Sequence, residues 1–294
     1  MSRKFDHLVL AVENLERASQ FYEAIGFTLT PQAQHPFGTG NRLAQMQGCF
    51  LEILGVTKPE NVSEAKPGAF SFGAYNRDFL KSRQGMSMMV LQSDDAKADR
   101  DDFRSAGLQT YEMFDFSREA RQPDGSVETV GFTLAFASVP ELPEAVAFTC
   151  QQWRPDLFWK PEYQDHPNTA NSISEVFMVA DDAEPAERFL KGLDVDADDA
   201  RVSVMTPSGF AERFPGAHAK SGWLESGPVA LTPLEAGQAP FGLFAGFKIK
   251  VADLEAVRSC LRENRVDHES KTDSLWITPR LAYGCVVEFA EENK

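Results

Sequence analysis

The stretch Phe5–Val56, FDHLVLAVENLERASQFYEAIGFTLTPQAQHPFGTGNRLAQMQGCFLEILGV, decides how the chain is read. FDHLVLAV alternates as a strand does: Asp6, Leu8, Leu10 and Val12 share one face, and His7, Val9 and Ala11 the other. Asn14 suits a helix N-cap, Leu15, Ala18, Phe21, Tyr22 and Ile25 follow at helical spacing, and Gly26 suits the residue just past the helix end. Phe27–Thr30 reads as a short strand and residues 32–42 as a loop. Arg42–Met46 and Cys49–Leu54 read as two strands joined at Gln47-Gly48. In the last strand Phe50, Glu52 and Leu54 point one way and Cys49, Leu51 and Ile53 the other. A helix packed on this sheet needs the wholly apolar face, which leaves His7 and Glu52 together on the opposite, concave one. A carboxylate inside the apolar run CFLEIL is costly to bury unless it is paired, hydrogen-bonded or metal-bound.

The unit recurs along the chain. Ser174–Val195 overlays Asp6–Phe27 without a gap and puts Glu175 on His7; Phe247–Asn264 repeats strand then helix; Met86–Gly107 is a weaker copy. Gly284–Phe289, GCVVEF, matches Gly48–Ile53 and puts Glu288 on Glu52. Four βαβββ units result, near residues 5–56, 85–153, 173–232 and 244–290. One unit cannot close a core. Two side by side make a curved sheet with helices outside and a cleft inside, so four give two domains, residues 1–165 and 172–294. Residues 154–171, RPDLFWKPEYQDHPNTAN, form the connector, an ordered strap with His166 as a turn device. Its Phe158, Trp159 and Tyr163, with Trp153 just before it, make either an interdomain core or a wall facing a ligand.

The bulk properties agree with a small-molecule protein. The chain has 294 residues, 43% hydrophobic and 25% charged, and a net charge of −15. That surface repels phosphate backbones and anionic lipid, so neither nucleic acid nor membrane is an expected partner. No apolar run is long enough to span a bilayer, and MSRKFDH lacks the apolar region of a signal peptide. Cys49, Cys150, Cys260 and Cys285 lie far apart without a CxxC pair, as expected of free thiols in the cytoplasm. Four units in one chain complete both cups without a second copy, so a monomer or homodimer is expected. No Ser–His–Asp or Cys–His arrangement is placed for nucleophilic catalysis, and no GxGxxG follows a strand.

With a His on the first strand and a Glu on the fourth, the four units resemble the vicinal oxygen chelate superfamily. That superfamily includes glyoxalases, extradiol dioxygenases, epimerases and bleomycin- and fosfomycin-resistance proteins. The N-terminal half resembles its glyoxalase-like domain subfamily, through DHLVLAV, HPFGTGNRL and FLEILGV, then FSREARQPDG at Phe116–Gly125 and FTCQQWRPDLFWKPEYQDHPN at Phe148–Asn168. The resemblance covers most of residues 5–180. It implies an α+β fold and a divalent metal (Fe, Mn, Ni or Zn) held by the first and last strands of paired units, acting as a Lewis acid on two adjacent substrate oxygens. Carried onto this chain, the four places in the first half hold His7, Glu52, Met88 and Gln152, with His7, Glu52 and Gln152 as the metal ligands. In the second half they hold Glu175, Leu231, Gly246 and Glu288, which makes that half structural or a lid. A His seen in related proteins falls on Trp153 here.

The implied activity is that of a glyoxalase- or dioxygenase-like small-molecule enzyme, a metal-dependent lyase or dioxygenase, working in the N-terminal cup. His7 and Glu52 are its catalytic residues; without a metal, a hydrogen-bonded His7–Glu52 pair still forms an acid–base couple. His35, Asn41 and Arg42, from the loop HPFGTGNR, would position the substrate, with Arg42 as the fork, and Phe50 and Trp153 would face it. Alternatively the loop is braced by Asn41 and Arg42 meets a surface acid. The rival function is that of a non-catalytic, resistance-type protein that sequesters a planar compound, a reading suited to the apolar surroundings of Met88, Trp153 and Phe50.

Overall fold

The computed structural model describes residues 2–121, 125–217, 219–220, 223–224 and 242–291. The first unit is β1 (Phe5–Ala11), α1 (Leu15–Ala24), β2 (Ala33–Gln34), β3 (Thr39–Gln45) and β4 (Phe50–Val56). Asn14 caps α1 by accepting a hydrogen bond from the Arg17 N–H at 2.9 Å, and Gly26 ends it at φ +92°. The strand expected at Phe27–Thr30 is absent; the first β pairing after the helix is at Ala33–Gln34. After α2 (Phe72–Phe79), the second unit follows: β5 (Gly85–Gln92), α3 (Ala96–Ser105), β6 (Gln109–Thr110), β7 (Phe114–Arg121), β8 (Val127–Ser138) and β9 (Val146–Gln152). The short α4 (Pro155–Phe158) lies in the strap. The second half holds β10 (Ala170–Ala180), α5 (Ala183–Leu193), β11 (Arg201–Met205), α6 (Pro207–Arg213), β12 (Ala219–Lys220), β13 (Trp223–Leu224), β14 (Gly242–Val251), α7 (Leu254–Glu263), β15 (Glu269–Ser270), β16 (Ser274–Ile277) and β17 (Val286–Glu291).

In each unit the first strand pairs parallel with a later one: β1 with β4, β5 with β9, β10 with β11 and β14 with β17. Antiparallel β1–β5 and β10–β14 ladders then join the units in pairs. Among the described residues this gives a nine-stranded sheet, β2-β3-β4-β1-β5-β9-β8-β6 with β7 on β8, and a six-stranded sheet, β11-β10-β14-β17-β16-β15. The fold is α+β, two curled sheets with α1, α3, α5 and α7 on their convex faces.

Strand alternation divides each sheet as the sequence suggests. Leu8, Leu10, Leu51 and Ile53 belong to the convex-face core, Val9, Leu54, Met88 and Phe148 to the cup of the first sheet. The helices, however, are not on the outside of the molecule. The convex faces of the two sheets look toward each other, and α1, α3, α5 and α7 contribute to one continuous core with Val176, Phe247 and Phe289 from the second sheet. Direct packing seals this core: the Tyr22 hydroxyl lies 3.4 Å from the Ala282 carbonyl oxygen, and Asn264 Nδ2 donates to the Ala24 carbonyl at 2.9 Å. All four cysteines are free; Cys49, Cys150 and Cys285 are buried and Cys260 is half-buried. No described helix is long and apolar enough to cross a membrane.

The strap is pinned to the first sheet. His166 accepts from the Thr28 N–H through Nδ1 (3.0 Å) and donates through Nε2 to the Gln45 carbonyl (2.7 Å). The Gln45 side chain donates to the Phe158 carbonyl and accepts from the Lys160 N–H.

The second cup is closed. Phe210 and Phe214, on and just after α6, are fully buried against Phe177 and Trp276. Glu175 and Glu288 do face this cup, but Arg213 and Lys248 lie between them: Arg213 meets Glu175 at 2.8 Å and Glu288 at 3.3 Å, and Lys248 meets them at 3.2 and 3.5 Å. The place matching Glu52 is taken by Ser203, through the Phe177–Ser203 register, and its hydroxyl donates to Glu175. Leu231, expected there, lies outside the described residues. A side chain at Gly246 is impossible without movement, because a Cβ would sit 2.5 Å from the Val286 carbonyl oxygen.

Burial alone would raise the Glu175 pKa, but hydrogen bonds from Arg213 and Ser203 and the charges of Arg213 and Lys248 hold it at about 2. A depressed carboxylate contributes stability above its unfolded pKa, near 4.5, and loses it as pH falls toward 2. Glu175→Gln should therefore lower unfolding free energy at pH 7 by about 2 kcal/mol in urea melts, and this gap should shrink below pH 4.5.

Candidate active site in the first cup

His7 and Glu52 come together in the first cup, 4% and 5% exposed. The β1–β4 register puts Val9 opposite Glu52 and His7 opposite Phe50, so the two polar side chains are diagonal neighbours on one face. His7 Nε2 lies 3.7 Å from Glu52 Oε2, too far for a hydrogen bond. The partner of His7 is instead Asp6, whose Oδ1 lies 2.5 Å from Nδ1. Strict alternation would put Asp6 on the far face; an irregularity in the β1–β5 ladder at Phe5/His7 lets it turn back. The imidazole is further fixed by stacking on Phe50 (centroids 4.1 Å apart) and by the edge of Phe148 (5.7 Å). Its Nε2 is thereby left facing Glu52.

Glu52 Oε1 accepts a 2.6 Å hydrogen bond from Asn41 Nδ2, while Asn41 Oδ1 is buried without a partner. His35 comes over the cup from the β2–β3 loop. Its Nδ1 pairs with the Thr39 hydroxyl at 2.8 Å, and its Nε2 is 3.4 Å from Asn41 Nδ2 and 3.9 Å from Glu52 Oε1. Burial, aided by Arg118 and His7, pushes the His35 pKa down to about 3, so this ring is neutral at physiological pH. Burial raises the Glu52 pKa; His7, the Asn41 hydrogen bond and Arg118 pull the other way without cancelling the rise.

These groups border a cavity of about 50 Å³ walled by Phe37, Phe50, Phe72, Phe116, Phe132, Phe148 and Phe158, with Leu43, Leu134 and Cys150. Phe158 is delivered by the strap and tilts against Phe50 at 5.2 Å, so this aromatic of the connector is cup wall. Arg118, on β7, completes the polar set. It was recoverable from FDFSREAR, where it follows Phe114 and Phe116 at a spacing of two on one face.

Three expected residues lie elsewhere. Arg42 follows Asn41 on β3 and points to the convex side, where it donates to the Thr30 carbonyl and pairs with Glu23 at 2.8 Å. Trp153 is 52% exposed; its ring covers Gly131 and its Nε1 donates to the Thr133 hydroxyl, outside the cavity. The ladder puts Phe148 beside Val90 at the height of His7, and Gln152 four residues further along β9, roughly 13 Å at strand rise. There Gln152 Oε1 is buried without a partner, and the residue is not in the cavity wall.

The resemblance implies a divalent metal between these donors. Of the sheet positions that would surround an ion, His7 and Glu52 offer ligands, while Met88 and Phe148 give no hard donor. Among the described residues no three His, Cys, Asp or Glu side chains are grouped to hold a metal ion. The donor set as folded does not fit a divalent metal.

A family model for a glyoxalase-like domain matches residues 5–193, more than half of the chain. No curated protein matches the sequence. Among solved structures, a hypothetical protein from Staphylococcus aureus aligns with a TM-score of 0.60 at 16% identity, over 99% of this chain and 100% of that one. A mutant of 4-hydroxymandelate synthase from Streptomyces coelicolor aligns with a TM-score of 0.55 at 10% identity, over 100% and 93%. A fusion of a xylose isomerase-like TIM barrel with 4-hydroxyphenylpyruvate dioxygenase gives 0.55 at 8% identity, over 100% and 49%. Such identities bear on fold alone. The chain belongs to the glyoxalase-like domain family, within the vicinal oxygen chelate superfamily.

Proposed function

We propose that the first cup is a small-molecule active site in which Glu52 takes or gives a proton and His7, oriented by Asp6, handles the complementary one. The supporting observation is the carboxylate itself: buried, with its basicity raised by burial, and joined to the protein by one hydrogen bond from Asn41. A carboxylate in that state is a stronger base than one in water, and its free oxygen faces the cavity side of His7. Because Asp6 occupies Nδ1, Nε2 offers a lone pair when the ring is neutral and a proton when it is charged. The reaction class is proton transfer next to a carbonyl, as in an isomerase or lyase of the glyoxalase type, with no step through a metal. The aromatic wall favours a second reading, binding without turnover.

Solvent-deuterium exchange, read by NMR on a panel of small 2-oxo and 2-hydroxy acids and ketones, separates the two. Turnover predicts exchange at the carbon beside the carbonyl, reduced about 10²–10⁴-fold in Glu52→Gln. Ligands that bind without exchanging would leave only the binding reading. Since folding raises the Glu52 pKa, this group lowers stability as pH rises through the unfolded value of 4.5, so Glu52→Gln should melt at an equal or higher temperature at pH 7.

His35 has the opposite pH sense. Its folded pKa lies below the unfolded 6.5, so the unfolded chain binds the proton first and stability is lost as pH falls from 6.5 toward 3. His35→Gln should flatten that acid limb by on the order of 2–4 kcal/mol between pH 7 and pH 4 in denaturant melts.

A further inference from the structure

Arg118 stands out in this protein. The chain carries 44 acidic residues against 29 basic ones, yet among the described residues the Arg118 side chain makes no hydrogen bond and no ion pair. It is only half-exposed, and the charge nearest in effect is that of Glu52. A half-exposed guanidinium with no partner in the protein keeps its donors available to a ligand that reaches it. Its position suits that role: Arg118, Asn41, Leu43 and Phe158 line both the small cavity and a much larger groove of about 740 Å³ between the β2–β3 edge and the strap. The four residues therefore form a collar between a deep chamber and an open one.

Resting on the reading of the first cup as a ligand site, we propose that its ligand is a small organic carboxylate, with its carboxylate on Arg118 at the collar. The reacting end lies in the cavity and the remainder of the molecule in the groove. Size fixes the division: about 50 Å³ accommodates three or four waters' worth of atoms, so anything larger must extend through the collar. Arg118 offers the planar fork that matches a carboxylate. Asn41 Oδ1, buried and unpartnered, accepts from a hydroxyl or amine next to that carboxylate. A phosphate is disfavoured, because a dianion would meet Glu52 with one guanidinium to offset it.

The test is isothermal titration of the full chain with 2-hydroxyhexanoate, its amide and hexyl phosphate. The carboxylate should bind at least tenfold more tightly than the amide and more tightly than the phosphate ester. Arg118→Met should abolish the preference over the amide, and Arg118→Lys should restore part of it. Circular dichroism of both variants checks that they fold; should Arg118→Met fail to, the wild-type ranking and Arg118→Lys still decide. Equal binding of the amide, tighter binding of the phosphate ester, or no binding of the carboxylate at millimolar concentration would overturn the proposal. Carboxylate binding without deuterium exchange would instead count against proton transfer and leave the role of Arg118 standing.

Discussion

A single 2.6 Å hydrogen bond from Asn41 holds Glu52 on the dry side of a β-sheet, and the first cup is arranged around it. Burial opposes the charged form of this carboxylate, and one neutral amide does not fully compensate. Asn41 is held by β3, with Thr39 orienting His35 beside it. On the other flank Asp6 and Phe50 fix the His7 ring. His7, His35 and Asn41 are thus braced from behind, while the carboxylate keeps an oxygen in the space they enclose. Such an arrangement suits chemistry better than it suits stability.

The second cup shows the same positions resolved the other way. Glu175 stands where His7 does, Ser203 where Glu52 does and Glu288 where Phe148 does, but Arg213 and Lys248 neutralise both carboxylates, and Phe210 and Phe214 fill the space. The guanidinium of Arg213 lies 4.5 Å over the Phe177 ring, which adds packing to the ion pairs. One half of the duplicated architecture has therefore kept an open polar chamber, and the other has spent its polar residues on holding itself together.

The alternation of FDHLVLAV and CFLEIL is a local property, and it placed His7 and Glu52 on one face. Alternation also means that Asn41 and Arg42, adjacent on β3, point to opposite sides, so only Asn41 can reach Glu52. Register between strands is not local. Phe148 rather than Gln152 stands level with His7 because of how β9 pairs with β5, and Ser203 rather than a later residue faces Glu175 because β11 follows α5 directly. Trp153 was placed by its neighbour in sequence, while its position depends on Gly131, whose missing side chain leaves room for the ring. Among the described residues, the strand that carries Arg118 pairs with β8 alone, and its approach to Glu52 comes from the curl of the sheet.

The strap has a mechanical consequence. It leaves β9 beside the cup, contributes Phe158 to the wall, is clamped through Gln45 and His166, and then becomes β10, the strand on which the second sheet is built. The convex faces of both sheets share one core, so neither half can tilt without disturbing that core or pulling on this tether. The collar of the open chamber is therefore tied, through the strap, to the packing of both halves.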